Sequence, residues 1–214
     1  QYIPCRGKLN DNHSIKLSDG NIITSNKIII ATGGRPKEIP NFKTDGKMII
    51  TSKEAMVLDE IPNHLVIIGA GAIGVEFAHL YNVFGSKITL IEGLDSIVPN
   101  EDNAVSHELE KIFKKRGINI YTKSNVEKIT KTKKQVTVTI KGQDVIKADK
   151  ALIAVGVTGN IENLGLNKLK INTKKGFLTV NEYMQTNIEN IYAIGDVCGA
   201  PLLAHVASFE GVLA

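Results

Sequence analysis

The sequence predicts an α/β protein with a parallel sheet at its centre, and three observations carry that expectation. Leu65-Val66-Ile67-Ile68 and Ala151-Leu152-Ile153-Ala154-Val155 are short all-apolar runs, the composition of strands buried on both faces. Between them, segments with helical spacing alternate with further strands. Alternation at 126–129, 136–140 and 145–146, broken by charged turns, adds a small antiparallel meander. A chain that is 43% hydrophobic and 22% charged is ordinary globular material, and with no Trp its core rests on aliphatic side chains.

Taken in order, Ser14-Ile15-Lys16-Leu17 alternates and Asp19-Gly20 marks a hairpin. Ile22 to Ile30 then reads as one continuous strand running into Ala31-Thr32-Gly33-Gly34-Arg35-Pro36. Residues 35–63 are punctuated by Arg35-Pro36, Ile39-Pro40 and Ile61-Pro62, so they read as a connection with one short helix near 52–58. The domain boundary falls there. Strand 65–68 leads through Gly69-Ala70-Gly71-Ala72-Ile73-Gly74 into a helix ending near Phe84, with Phe77, Leu80 and Phe84 on its apolar face and Gly85 as its stop. A strand from Lys87 to Ile91, ending at Glu92, completes a right-handed βαβ unit.

The next helix spans 101–116. Glu101 and Asp102 stand at its start and Lys114, Lys115 and Arg116 at its end, which complements the helix dipole, and Gly117 follows. Val105, Leu109, Ile112 and Phe113 mark its apolar face. Strand 118–121, the meander and strand 151–156 follow. Residues 157–181 read as loop, 190–196 as a last short strand, and the chain ends at Ala214 within a helix.

Several classes are excluded. The longest nearly apolar stretch, Leu65 to Val75, contains three Gly and falls far short of the ~20 residues of a membrane span. Cys5 and Cys198 have no metal-ligand spacing and the five His are scattered, so neither a disulfide scaffold nor a metal site is expected. The net charge of +4 is mild, and the short Lys runs lack interleaved aromatics, so they read as solvated faces and not as a nucleic-acid surface. The chain opens Gln1-Tyr2-Ile3-Pro4 with no targeting pattern and stops inside a helix, so it is expected to be a segment of a longer cytoplasmic protein.

The strongest chemical signal is Gly69-x-Gly71-x-x-Gly74 between a strand and a helix, with Glu92 about 20 residues on at the end of the next strand. In that context the glycines permit a tight turn, close approach of a pyrophosphate and close helix packing, and the helix N-terminus holds phosphate charge. This is a Rossmann-like dinucleotide-binding fingerprint, against the plainer reading of a structural Gly-rich turn. A carboxylate at Glu92 suits the ribose hydroxyls of NAD, and residues 93–100 contain no Arg or Lys to hold a 2′-phosphate. The plainer reading of Glu92 is a solvated strand end.

The order Ala31-Thr32-Gly33, Gly69-x-Gly71-x-x-Gly74, Ala154-Val155-Gly156-x-x-x-Asn160 and Tyr192-Ala193-Ile194-Gly195-Asp196 resembles the flavoprotein disulfide reductases. Within them, Ile28 to Pro36, Ile67 to Glu76, Asn160 to Leu166 and Leu203-Ala204-His205 are similar to the lipoamide dehydrogenases, and Ile73 fits that branch. The resemblance covers essentially the whole chain. It implies an NAD-binding domain at 43–156 inserted between two partial FAD-binding pieces, 1–42 and 157–214. NAD would then meet Gly69, Ala70, Gly71, Ala72, Ile73, Gly74, Glu76, Glu92, Val126 and Gly156, with Glu76 near the nicotinamide–flavin contact. FAD would meet Gly7, Lys8, Ala31, Thr32, Gly33, Gly195, Asp196, Leu203, Ala204 and His205.

The family's redox cysteine pair and His-Glu dyad are not among these residues, so no catalytic residue is assigned in this chain, and Glu76 is placed only near the nicotinamide–flavin contact. The resemblance further implies a homodimeric enzyme that oxidises dihydrolipoamide on the E2 component of a 2-oxoacid dehydrogenase complex, through a disulfide and FAD, and reduces NAD. These residues alone would be inactive. Departures touch fine contacts: Cys5 stands where Gly is usual, Val206 where Lys is frequent, and Val157-Thr158-Gly159 where Arg-x-Pro is frequent. Two other readings stay open, a different flavin disulfide reductase or NADH oxidase, and a stand-alone, non-enzymatic dinucleotide-binding module.

Overall fold

The computed structural model describes residues 1–142 and 145–214. In chain order it forms β1 (Gly7–Leu9), β2 (Ser14–Leu17), β3 (Ile22–Thr24), β4 (Ile28–Ile30), β5 (Gly34–Pro36), β6 (Ile49–Thr51), α1 (Ser52–Ala55), β7 (His64–Ile68), α2 (Ala72–Val83), β8 (Lys87–Ile91) and α3 (Asn103–Lys115). β9 (Asn119–Tyr121), β10 (Val126–Lys131), β11 (Val136–Ile140), β12 (Val145–Ala148), β13 (Lys150–Ile153) and β14 (Val157–Gly159) follow. Then come β15 (Thr173–Lys174), β16 (Phe177–Leu178), β17 (Ile191–Ala193) and α4 (Ala204–Leu213), with short 3-10 turns at Leu166–Leu169 and Gly195–Cys198. The chain divides into two compact units, Pro36–Gly156 and the pair Gln1–Arg35 with Val157–Ala214.

The unit Pro36–Gly156 is built on a five-stranded sheet in the order β6-β13-β7-β8-β9, and every pair in it is parallel. Period-two alternation sends its side chains to two different layers. Leu65, Ile67, Ile88, Leu90 and Leu152 face the helices, where Ala55, Phe77, Ala78, Tyr81 and Phe113 meet them. Val66, Ile68, Ile91, Ala151 and Ile153 face the meander, packing on Val136, Val138 and Ile140 of β11. Both faces are covered, so the strands read as unbroken apolar runs. Each fully buried Leu or Ile contributes about 1.5–3 kcal/mol over exposure, so this sheet is the rigid base of the unit. From β7 the chain winds through α2, β8 and α3 to β9, whereas β13 and β6 lie on the other side of β7. The winding direction therefore reverses between β7 and β13, which opens a crevice at the carboxyl ends of those strands.

Several expectations need correction in this unit. Residues 35–63 are more than a connection: Ile49–Thr51 forms edge strand β6, paired with Ala151 to Ile153. The helix near 52–58 is a single turn, started by a Thr51–Glu54 capping box and ended by Ala55. The apolar face of α2 is Val75, Phe77, Ala78 and Tyr81, while Leu80 and Phe84 are exposed. Phe77 keeps its expected place, but Gly74, Val75, Ala78 and Tyr81 complete the contact with the sheet, so the spacing through Leu80 and Phe84 misled. On α3, Ser106 and Phe113 are buried and Leu109 packs beside them, while Val105 and Ile112 face outward. Asp102 caps this helix by accepting from the Ala104 N–H.

The other unit is a set of small sheets over one core of Leu9, Ile28, Ile30, Leu166, Leu178, Ile191 and Val197. β1, β2 and β3 form an antiparallel sheet, β4 pairs in parallel with β17, and β5 pairs with β14. The expected continuous strand 22–30 is two strands, because a turn at 25–27, closed by the Ser25 hydroxyl donating to the Lys27 carbonyl, redirects the chain. The loop-rich stretch 157–181 contains β14, β15 and β16. The last strand ends at Ala193, before a 3-10 turn at Gly195–Cys198. Among the described residues no helix is long and apolar enough to cross a membrane, and no cluster of His, Cys, Asp or Glu could hold a metal ion.

Candidate nucleotide-binding site

At the crevice, the turn after β7 has a shape only glycine allows. Gly69 has φ +98°, and a Cβ there would lie 2.4 Å from the Ala154 carbonyl oxygen at the end of β13. A Cβ on Gly74 would lie 1.9 Å from the Gly69 carbonyl oxygen, so the first turn of α2 can approach the turn only without a side chain. Gly71 differs: a Cβ there would meet nothing within 4 Å. Among the described residues no neighbour demands that glycine, and the space over it is free for a bulky group to reach the backbone. Gly71 is also the N-cap of α2 and offers no side-chain cap, so the first-turn N–H groups are left for an anion.

Glu92, at the carboxyl end of the neighbouring strand β8, is half-buried and docked. One carboxylate oxygen accepts from the Ala70 N–H at 2.7 Å and the other from the Leu94 N–H at 2.9 Å. The carboxylate thus stands directly beside the glycine turn. It has about four acceptor positions, two of them used, and the rest remain for a ligand's hydroxyls. The bond to Ala70 was not legible from spacing. The only signal for it is that Glu92 directly ends a strand paired with β7. Glu76 is exposed on the first turns of α2, Val126 opens β10 against the core, and Gly156 has φ +110° just past the end of β13. The structure therefore gathers Gly69 to Gly74 and Glu92 tightly, with Gly156 at the end of an adjacent strand.

In the other unit, Thr32 and Asn160 clasp each other. The Thr32 hydroxyl donates to the Asn160 carbonyl at 2.8 Å, and the Asn160 amide donates to the Thr32 carbonyl at 2.9 Å. The Arg35 guanidinium donates to the Gly159 carbonyl, to the Asn160 side chain and, by two nitrogens, to the Glu162 carboxylate. Its hydrogen bond holds the exposed Glu162 carboxyl below the usual range. Sequence reading missed Arg35 and Glu162, although Arg35-Pro36 and Asn160-Ile161-Glu162 both sit in stretches it had singled out. A cleft of about 540 Å³ in this unit is lined by Gly7, Lys8, Lys16, Thr32, Glu162 and Asn163 among others, so it joins three of the residues expected at FAD.

Gly195 donates its N–H to Glu210 at 2.6 Å, which ties the 3-10 turn carrying Asp196 to α4. Leu203 is the N-cap of α4, and Ala204 and His205 are exposed on its first turn. Glu210 is therefore engaged with backbone. Both cysteines are free. Burial, with Glu210 nearby, pushes the Cys198 thiol up to about 12, so it stays protonated near neutral pH.

Comparison with known proteins places this arrangement. A family model described as pyridine nucleotide-disulphide oxidoreductase matches residues 2–211. Dihydrolipoyl dehydrogenase of Zymomonas mobilis is 45% identical over 197 residues, 90% of this chain and 42% of that protein. Dihydrolipoyl dehydrogenase of Bacillus subtilis is 41% identical over 201 residues, 92% of this chain and 42% of its own length. Among solved structures, LpdA from Mycobacterium tuberculosis superposes with TM-score 0.90 at 30% identity, over 100% of this chain and 49% of that one. The Cu(II) complex of the HOCl-induced flavoprotein disulfide reductase RclA from Escherichia coli gives TM-score 0.90 at 29% identity, over 99% and 49% of the respective chains. The chain thus spans less than half the length of these relatives.

Proposed function

The chain belongs to the pyridine nucleotide-disulphide oxidoreductase family, whose cofactors are FAD and a nicotinamide dinucleotide, and from that premise we propose that it carries the NAD site of a dihydrolipoyl dehydrogenase. The observation that supports this reading most is the Glu92 carboxylate docked on the open glycine turn. The first-turn N–H groups of α2 hold the pyrophosphate over Gly71. Glu92 accepts from the adenosine ribose hydroxyls, and its charge, unrelieved by any Arg or Lys in 93–100, repels a 2′-phosphate. Bound NAD supplies the hydride chemistry, and this chain's part is binding and orientation.

The pieces 1–35 and 157–214 belong to the FAD site in this reading. Gly7, Lys8, Ala31, Thr32, Gly33, Gly195, Asp196, Leu203, Ala204 and His205 contribute, the Thr32–Asn160 clasp fixes one edge, and 36–156 is the NAD-binding domain. Glu76 faces the nicotinamide end. The whole protein oxidises dihydrolipoamide carried by an E2 component, as a cytoplasmic homodimer. The higher identity to dihydrolipoyl dehydrogenases than to RclA favours this substrate over other disulfides.

The test is an assay of the whole protein for NADH formation from dihydrolipoamide and NAD, beside NADH-dependent reduction of other disulfides and of oxygen. Faster turnover with oxygen or another disulfide would contradict the assignment. The 214 residues by themselves are expected to give no turnover, since a protonated Cys198 and a distant Cys5 in sequence offer no thiolate pair.

A further inference from the structure

We propose that Asn125 is a specificity-determining residue that reads the adenine ring of the dinucleotide. The inference rests on the NAD reading of the glycine turn and extends it along the sheet. With the pyrophosphate over the end of β7 and the ribose at Glu92 on the end of β8, the base continues to the next strand, β9. The chain leaving β9 is residues 122–125.

That segment is stitched to the Glu92 loop. The Glu92 N–H donates to the Tyr121 carbonyl at 2.8 Å, the Ser124 N–H to the Glu92 carbonyl at 2.9 Å, and the Lys123 N–H to the Leu94 carbonyl at 2.8 Å. The Lys141 N–H also donates to the Asn125 carbonyl at 2.9 Å, which anchors the segment to the meander. Residues 92–94 and 121–125 therefore form one platform, and the position of Asn125 is indexed to that of Glu92.

On this platform the side chains sort by what they can still bind. Ser124 is buried and its hydroxyl donates to the Thr122 carbonyl. The Lys123 ammonium pairs with Asp95. Asn125 is exposed, and its amide group makes no hydrogen bond among the described residues. Its oxygen lies 3.0 Å from where a Cβ of Gly93 would stand, so the amide rests against the residue next to Glu92 and would have to shift if a side chain were added there. A carboxamide presents a donor and an acceptor side by side, the complement of an adenine edge with its ring-nitrogen acceptor and N6 donor.

The experiment compares NAD with its 1,N6-etheno derivative, in which a two-carbon bridge removes the N6 donor and blocks N1. Affinities are measured by titration calorimetry on the full chain and on the Asn125→Ala, Gly93→Ala and Glu92→Ala variants. The wild-type chain should bind NAD about tenfold tighter than etheno-NAD, the scale of one or two net hydrogen bonds. Asn125→Ala should bring that ratio within about twofold with an unchanged melting temperature. Gly93→Ala, which displaces the amide without removing it, should do the same. Glu92→Ala should weaken both ligands alike and leave the ratio standing. An unchanged ratio in both Asn125→Ala and Gly93→Ala would overturn the role of Asn125 while the NAD site stands. A wild-type chain that binds neither dinucleotide would overturn the NAD reading and this inference with it.

Discussion

At the residue scale, Glu92 does structural work before any ligand arrives, because its carboxylate bridges the Ala70 and Leu94 N–H groups. Replacing Glu92 by Ala leaves both donors without that partner. Hydrogen bonds to a charged acceptor are worth about 1.5–3 kcal/mol, discounted here by partial exposure, so a loss of about 1–2 kcal/mol is expected in urea unfolding. His64, the first residue of β7 at the opposite end of the strand, makes a second prediction. Its Nε2 lies 3.0 Å from the Thr89 hydroxyl, and burial, then the Lys87 charge, hold its pKa below the ordinary imidazole value. The unfolded chain therefore binds this proton first as pH falls. The contribution is complete above about pH 6.5 and is lost as pH drops below it toward the folded value. His64→Gln should show a shallower drop in urea midpoint between pH 7.5 and 5.5 than the wild type; an equal drop would mean that His64 plays no part.

At the element scale, the β7–turn–α2 segment was legible because its physics is local. An apolar run, three glycines at fixed offsets and a capped stop all lie within adjacent residues. Gly74→Ala drives a methyl into the Gly69 carbonyl, so it should cost roughly 2–4 kcal/mol and lower dinucleotide affinity together. A fully stable variant would show that the helix does not press on the turn. The elements that sequence missed owe their form to distant partners. Ile49–Thr51 is a strand because Ala151 to Ile153 pairs with it, and Gly7–Leu9 because Ile15 to Leu17 does. Neither run is long enough to declare itself. The faces of α2 and α3 were legible only in part, through Phe77, Leu109 and Phe113, for a related reason: Ala78 and Ser106 are buried because they are small enough to let the helices approach the sheet and its loops, which an apolar count does not register.

At the scale of the whole molecule, the chain leaves one unit after Arg35, builds the second through Gly156, and returns at Val157. The expected crossing at 42/43 differs because 36–42 associates with the second unit: the Lys37 N–H donates to the Gly156 carbonyl and Phe42 joins the core under the meander. Each unit has its own core. Of the site, the glycine turn and Glu92 were legible as a motif, whereas the docking of Glu92 and the Arg35–Glu162 contact depend on chain segments meeting in space. The central claim is that Pro36–Gly156 is an NAD site and discriminates by charge at Glu92. Its most direct test is titration of the chain with NADH and with NADPH at one ionic strength. A preference of at least tenfold for NADH is expected, falling to near parity in Glu92→Ala as repulsion of the 2′-phosphate is lost. Equal or tighter binding of NADPH by the wild-type chain would contradict it.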